Sequence, residues 1–147
     1  MRYLYAAYRF GLWSEIFDAD LPTAAFTEKA LDLVGSVALD WVVEAQREDG
    51  AGVRPVGLIL AHLLPDGRRI EPHIDWFPWA TPRNKFEGIA AFIHDASRTY
   101  KLQIYIEADK TAFWDRLLKY RMLCKGCKIR DHYSRGEDAM FYYSVGP

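Results

Sequence analysis

The most informative stretch of the sequence is Trp79-Ala80-Thr81-Pro82-Arg83-Asn84-Lys85-Phe86-Glu87-Gly88. Thr81 is a favourable N-cap residue and Pro82 suits the first helical position, so a helix is predicted to begin here. Its first turn carries Arg83 and Lys85, although a cation at the positive end of a helix dipole is unfavourable by roughly a few tenths of a kcal/mol. Backbone N–H groups, the dipole and two cations together indicate a phosphate-binding site. A capped helix with solvated cations is the alternative interpretation.

The residues before this helix predict three antiparallel strands joined by two turns. The strands are Val37–Ala45, Val53–Leu64 and Arg69–Phe77. The first turn is polar and contains two glycines, at Arg47–Gly52. The second turn is Pro65-Asp66-Gly67-Arg68, in which Pro fixes one dihedral angle and Gly takes the left-handed conformation.

Helical and extended patterns alternate through the rest of the chain. The start of the chain predicts a strand at residues 2–8 and helices at Ser14–Phe17 and Leu21–Val34. The second of these helices is amphipathic, because Phe26, Ala30 and Leu33 fall on one face. The elements predicted after the three strands are a helix at Arg83–Ser97, a strand at Lys101–Glu107, a helix at Lys110–Leu123, and strands at Lys128–Tyr133 and Ala139–Val145.

The order of these elements, β-α-α-β-β-β-α-β-α-β-β, predicts an α+β fold in which helices flank a mixed, mostly antiparallel sheet. This order resembles that of the GNAT superfamily of acetyltransferases, and the resemblance covers about residues 2–145. A single domain spanning residues 1–147 is expected, because a chain of this length can bury one core.

The resemblance extends to the phosphate loop of GNAT enzymes, which reads Arg or Gln, any two residues, Gly, any residue, then Gly or Ala. Arg83 and Gly88 match the two ends of this loop, whereas Phe86 replaces its middle glycine. The resemblance implies acetyl-CoA as cosubstrate. The residues implied to bind its pyrophosphate are Arg83, Asn84, Lys85, Phe86 and Gly88, and those implied to pair with its pantetheine arm are Phe77, Pro78, Trp79 and Ala80.

Three ionisable side chains alternate along the predicted strand before this loop. The period of two puts Glu71, His73 and Asp75 on one face, with next neighbours about 6.6 Å apart. An incoming ammonium must lose a proton before it attacks a thioester, and a group that titrates near neutrality serves best, which favours His73 or a buried Glu71 as the base. Asp75, on the same face, would either orient this base or repel a neighbouring negative charge. A merely polar, solvent-facing strand is the alternative.

The general acid of GNAT enzymes is usually a Tyr shortly before a Gly-Phe pair. Counting back from Gly126 places Met122 where that Tyr is expected. Tyr120 lies nearby and is the candidate acid, although residues two apart do not share a helix face. As an alternative, Tyr120 is an amphipathic packing residue.

Composition argues against several other classes of function. A net charge of -1 argues against nucleic-acid binding as a global property, although a basic stretch extends from Arg116 to Arg130. Only two cysteines occur, Cys124 and Cys127, so neither a disulfide framework nor a zinc site is expected, and no metal is predicted. No long apolar run indicates a membrane span, and a cytoplasmic location is expected.

We therefore expect an N-acetyltransferase whose acceptor is an unidentified amine, on a protein or a small molecule. A homodimer is a further expectation. The alternative is a GNAT-like interaction protein with weak or lost catalysis, of the short divergent kind found in bacteriophages, acting on a host or virion partner. Phe86 and Met122, at positions where the family has Gly and Tyr, favour that alternative.

Overall fold

The computed structural model describes residues 8, 9 and 21–145. The helices are α1 (Thr23–Ser36), α2 (Pro82–Ala96) and α3 (Ala112–Lys119). The strands are β1 (Val37–Gln46), β2 (Val53–Leu63), β3 (Arg69–Trp76), β4 (Lys101–Glu107), β5 (Cys124–Ser134) and β6 (Glu137–Tyr143). From the second predicted helix onward, this order matches the prediction. The first strand and first helix that we predicted lie outside the described residues, apart from Tyr8, whose backbone is helical.

The strands form one six-stranded sheet in the order β1-β2-β3-β4-β6-β5. The pairs β1–β2, β4–β6 and β5–β6 are antiparallel, whereas β3 and β4 are parallel. The predicted α+β class with a mixed sheet flanked by helices is therefore confirmed. The β3–β4 ladder joins two residue pairs, Arg69 with Lys101 and Ile70 with Leu102.

The chain divides into two compact units, and β2, β3 and α2 continue from one unit into the other. The first unit holds residues up to 62 together with His73–Gly88. Its core joins Phe26 and Ala30 of α1 to Leu58, Leu60 and Phe77. The amphipathic face predicted for α1 therefore packs on the sheet.

The helix α2 meets the other face of the sheet closely in the first unit. A Cβ atom placed on Gly88 would lie 2.6 Å from Val43 Cγ1 and 3.3 Å from Trp76 Cη2. The ring of Trp76 also covers Gly57, where an added Cβ would approach its Cε3 atom to 2.3 Å. The absence of side chains at these two glycines lets the strands, the Trp76 ring and the start of α2 pack together.

The second unit holds residues 63–72 and the chain from residue 89 onward. The second half of α2 and the elements β4, α3 and β6 all contribute buried side chains, which include Ile89, Phe92, Leu102, Leu117 and Tyr142. The rings of Trp114 on α3 and Tyr142 on β6 are 6.2 Å apart, so α3 lies over β6.

The boundary between α3 and β5 differs from the prediction. We expected a helix to Leu123 and a strand from Lys128, but α3 ends at Lys119 and β5 begins at Cys124. The N–H of Tyr120 donates to the carbonyl of Leu117, and Arg121 follows with a positive φ of 55°, which no helix continues. Cys124 and Cys127 are free thiols on a strand rather than at a helix end.

Candidate functional site

The start of α2 is closed by a reciprocal cap. The N–H of Asn84 donates to Thr81 Oγ1 at 3.1 Å, and the N–H of Thr81 donates to Asn84 Oδ1 at 3.1 Å. The N–H of Lys85 donates to the carbonyl of Thr81. This arrangement follows the capping-box pattern with Asn in place of the usual Glu or Gln, and it confirms the predicted helix start.

One cation of the first turn has an acidic neighbour. Arg83 Nε lies 2.7 Å from Glu87 Oε1, one helical turn further along, and this ion pair raises the pKa of the Arg83 guanidinium. Both side chains are largely exposed. An exposed pair of this kind is worth little, so the Arg83 side chain can exchange Glu87 for another anion at small cost.

Two groups at this helix start have no partner among the residues that the structure describes. Pro82 has no N–H, and in the first turn of α2 only the N–H of Arg83 has no acceptor among the described residues. Lys85 is half-buried, and its ammonium has no carboxylate within ion-pair distance in the described part of the chain. The amides of Phe86 and Gly88 lie inside the helix, where they serve its own hydrogen bonds. Arg83 and Lys85 are therefore the groups of this helix start that could hold an anion.

The segment from Phe77 to Ala80 connects β3 to α2. The N–H of Phe77 donates to the carbonyl of Val56, and the N–H of Ala80 donates to the carbonyl of Phe77. Pro78 has no N–H, so most donors of this segment are already used. The segment can offer carbonyl oxygens to a ligand more readily than N–H groups.

Trp79 anchors this segment, and the guanidinium of Arg54 lies over its ring. The sequence analysis did not identify Arg54. Its Nε1–H donates to the carbonyl of Pro55 at 2.8 Å, and its ring stacks on Phe77 with centroids 4.9 Å apart. The guanidinium carbon of Arg54 lies 5.7 Å from the Trp79 ring centroid. Arg54 has no carboxylate within ion-pair distance in the described residues. Only the pairing of β2 with β3 brings it to this segment, so no local pattern could have indicated it.

The three ionisable residues of β3 differ in exposure. His73 is exposed, whereas Glu71 and Asp75 are half-buried. His73 contacts His62 of β2, with the two imidazole rings edge to face and their centroids 5.3 Å apart. This contact requires the strand pairing, so no local pattern in the sequence indicated it.

Tyr120 follows the last residue of α3 and is 61% exposed. It lies beyond the helix rather than inside it, and Met122 follows in the turn before β5. The candidate acid and the position where the family has Tyr are therefore both in a connecting turn.

A second aromatic group, also missed, lies on the sheet of the second unit. The rings of Tyr105 on β4 and His132 on β5 stack with centroids 4.6 Å apart. His132 meets Tyr133 edge to face at 4.8 Å, and the hydroxyl of Tyr133 donates to the carbonyl of Tyr105 at 2.9 Å. Nothing in their spacing pointed to this contact, because it depends on an irregular strand pairing.

Two kinds of feature are absent from the described residues. No three His, Cys, Asp or Glu side chains are grouped so that they could hold a metal ion in the described part of the chain. Among the helices at residues 21–145, none has the length and apolar character needed to cross a membrane.

Comparison with known proteins gives no sequence match and clear structural matches. No family model matches the chain, and no curated protein matches it by sequence. The spermidine N-acetyltransferase of Vibrio cholerae in complex with CoA and spermine has a similar structure, with a TM-score of 0.68 and 13% identity, over 95% of this chain and 88% of that chain.

Two other solved structures show the same likeness. The ribosomal-protein-S18-alanine N-acetyltransferase of Escherichia coli has a TM-score of 0.59 and 15% identity, over 96% of this chain and 86% of that chain. A probable GNAT-family acetyltransferase of Chromobacterium violaceum has a TM-score of 0.62 and 15% identity, over 97% of this chain and 81% of that chain. The chain has the GNAT acetyltransferase fold.

Proposed function

We propose that this chain is an N-acetyltransferase that transfers the acetyl group of acetyl-CoA to an amine. The observation that carries the proposal is the start of α2, where the N–H of Arg83 and the ammonium of Lys85 have no protein partner in the described residues. A helix N-terminus with an adjacent cation favours a phosphate. The GNAT fold supports the same ligand, because a similar structure is a complex with CoA.

The residues at this helix start fit a pyrophosphate. The N–H of Arg83 and the ammonium of Lys85 would hold one phosphate, and the Arg83 side chain would leave Glu87 to bind it. The carbonyl oxygens of Pro78 and Trp79 would accept hydrogen bonds from the amides of the pantetheine arm. Acetyl-CoA supplies an activated acetyl group, and the protein's task is to orient it and to accept a proton from the amine.

The proton acceptor proposed for the amine is His73 or Glu71 of β3. His73 is exposed, so a substrate can reach it, and an imidazole is a group that can accept a proton from the amine. Glu71 is half-buried and is the alternative base. Asp75, on the same strand, would orient the acceptor or the base.

The experiment that tests the function has two stages. Calorimetry with CoA should show binding at micromolar to millimolar concentration, and acetyl-CoA should raise the melting temperature by mass action. Release of free CoA thiol is then measured with spermidine and with a peptide that begins with alanine, since similar structures are enzymes for such acceptors. A folded protein that binds no CoA at millimolar concentration would exclude the proposal.

A GNAT-like interaction protein is the second candidate. Phe86 is half-buried at the position of the middle glycine, and Met122 occupies the position of the family's Tyr. CoA binding without thiol release on any amine of a broad panel would favour this candidate over the enzyme.

A further inference from the structure

Two histidines of the first unit lie side by side on the sheet. His62 is on β2 and His73 is on β3, and their imidazole rings are edge to face with centroids 5.3 Å apart. The N–H of Phe77 donates to the carbonyl of Val56, so the antiparallel pairing places His73 opposite Leu60, two residues from His62. The two histidines are therefore diagonal neighbours on one face, a position from which long side chains can meet.

The pair lies at the margin of the core that α1 covers. Leu58 and Leu60 precede His62 on this face of β2 and are buried, whereas His62 is half-buried. Phe77 is buried on the same face, whereas His73 is exposed. The two imidazoles therefore have an apolar surface on one side and solvent on the other.

Carboxylates on the same face favour a cation beside this pair. Asp75 lies two residues from His73 along β3, a spacing of about 6.6 Å at the usual rise of a strand. Asp40 of β1 lies opposite Leu60, and therefore on the face that carries His62. Among the described residues no third His, Cys, Asp or Glu completes a metal-binding group, so an ion here would have two protein ligands and water.

The separation of the rings matches that of two imidazoles that share one tetrahedral ion. A Zn–N bond of about 2.1 Å places the ion about 3.2 Å from each ring centroid, so two ligands at the tetrahedral angle have centroids about 5.2 Å apart. A right angle, as in square-planar or octahedral coordination, would require about 4.5 Å. The observed 5.3 Å therefore favours Zn²⁺ over Cu²⁺ or Ni²⁺.

The orientation of the rings is compatible with a shared ion. Their planes lie at 82° to each other, and a ring can rotate about a metal–nitrogen bond without moving its ligand nitrogen. His73 is exposed, so its imidazole can also turn about the Cβ–Cγ bond to direct a nitrogen toward the ion. The strand pairing already fixes the two backbones, so only side-chain rotation is needed to form the site.

We propose that His62 and His73 bind Zn²⁺, and that the bound ion inhibits acetyl transfer because it occupies the His73 nitrogen that would accept a proton from the amine. The zinc site goes beyond the proposed function, whereas the inhibition rests on it. Two imidazoles of one chain bind an ion more tightly than either alone, since the second metal–nitrogen bond forms intramolecularly. Water fills the remaining coordination positions, as it does in an open zinc site.

Calorimetry with ZnCl₂ tests the site. Because Cys124 and Cys127 are free thiols that could also bind zinc, the measurement uses a cysteine-free parent that carries Cys124→Ser and Cys127→Ser. In this parent His62→Gln and His73→Gln should each weaken Zn²⁺ binding at least about 30-fold, whereas the control His94→Gln should change it less than about 2-fold. Equal effects of the three substitutions, or unchanged binding in His62→Gln and His73→Gln, would overturn the proposal.

An NMR titration of the unaltered chain decides the question even if these variants fail to fold. The protein has four histidines, whose imidazole nitrogen signals are assigned through correlations with their own backbone. Addition of ZnCl₂ should shift the signals of His62 and His73 together and leave those of His94 and His132 in place. Equal shifts of all four imidazoles, or no shift at millimolar Zn²⁺, would contradict the site.

Turnover tests the inhibition, and acetylated product is measured because Zn²⁺ also binds the free thiol of CoA. Saturating Zn²⁺ should lower the rate of the cysteine-free parent at least about 10-fold, whereas His62→Gln should keep its rate in the presence of Zn²⁺. Zn²⁺ that binds the pair without changing turnover would overturn the inhibition and favour Glu71 as the base. A chain that acetylates no amine would reject the proposed function, while the two binding measurements would still decide the zinc site.

Discussion

The hydroxyl of the buried Tyr142 donates a 2.8 Å hydrogen bond to Asp115 Oδ1, the same oxygen that lies 2.8 Å from Lys125 Nζ. These contacts tie α3 to β6 and β5 in the second unit. The Lys125 ammonium first, and the Tyr142 hydroxyl second, hold the pKa of Asp115 below its usual value. Burial first, and the Asp115 carboxylate second, raise the pKa of Tyr142.

The lowered pKa of Asp115 predicts how the free energy of unfolding changes at acid pH. Because its pKa is lower in the folded chain, its contribution is complete above the ordinary Asp value of about 3.9 and is lost as the pH falls through the folded value. Asp115→Asn should lower the free energy of unfolding by about 1 kcal/mol at pH 7, a small figure because the side chain is 38% exposed. Denaturant unfolding should show this difference shrinking below about pH 4, whereas the exposed Asp32→Asn control should show no such trend. A constant difference down to pH 2 would contradict the assignment.

The close approach at Gly88 predicts a steric effect. In Gly88→Ala the new methyl group would meet Val43 Cγ1 at 2.6 Å, so the free energy of unfolding should fall by about 1–3 kcal/mol. Gly35→Ala is the matched control in α1, because nothing lies within 4 Å of its added Cβ, and it should be neutral or stabilising by up to about 1 kcal/mol. Adding Val43→Ala should recover part of the Gly88→Ala loss in a double-mutant cycle. Equal effects of the two glycine substitutions would refute the packing explanation.

The two cations of α2 should contribute unequally to CoA binding. Lys85→Gln should weaken CoA about 10-fold in calorimetry, because its ammonium has no carboxylate within ion-pair distance in the described residues. Arg83→Gln should weaken it less than about 3-fold, since Arg83 must first give up Glu87. Raising the salt concentration should weaken binding to the parent chain more than to Lys85→Gln. A larger effect at Arg83 than at Lys85 would reverse this assignment.

Removal of the base on β3 should lower turnover without weakening CoA binding. Replacing the true base, by His73→Gln or Glu71→Gln, should lower kcat about 10²-fold near neutrality and leave CoA affinity nearly unchanged. The variant that loses turnover identifies the base. If both variants keep their rates and pH profiles with a verified acceptor, neither residue is the base. This strand would then be only polar surface.

The basic stretch from α3 into β5 should not bind nucleic acid. Lys125 is paired with Asp115, and Lys128 lies 2.7 Å from Asp138. A generic oligonucleotide should therefore show no appreciable binding at physiological salt. Tight binding that weakens steeply with salt, and that disappears when Lys119, Arg121 and Lys125 are replaced together, would overturn this expectation.

Local patterns predicted most of the fold, including the start of α2. The helix start at Pro82 was predictable because Thr81 and the proline act within one turn, and the period of two located β2, β3 and β4 to within a residue or two. The end of α3 was not predictable in the same way, because it depends on a positive φ at Arg121, a residue type that usually avoids it.

Contacts between strands explain what the sequence analysis missed. His62 meets His73, Arg54 meets Trp79, and Tyr133 meets Tyr105 only after the strands have paired. The last contact also needs the irregular register of β5, which no alternation pattern records. Residue type and spacing therefore indicated the helix start at which we propose that phosphate binds, but not the aromatic contacts on the sheet.

The irregular register of β5 also has a consequence for self-association. An outermost strand with regular spacing is a template on which another chain can build intermolecular β-structure, including amyloid-like fibres. In β5 the register shifts twice, once between Lys125 and Lys128 and again between Ile129 and Ser134. A strand from another chain could therefore pair with only short segments of this edge. The feature that carries Tyr133 across the sheet thus also protects this edge against aggregation at high protein concentration.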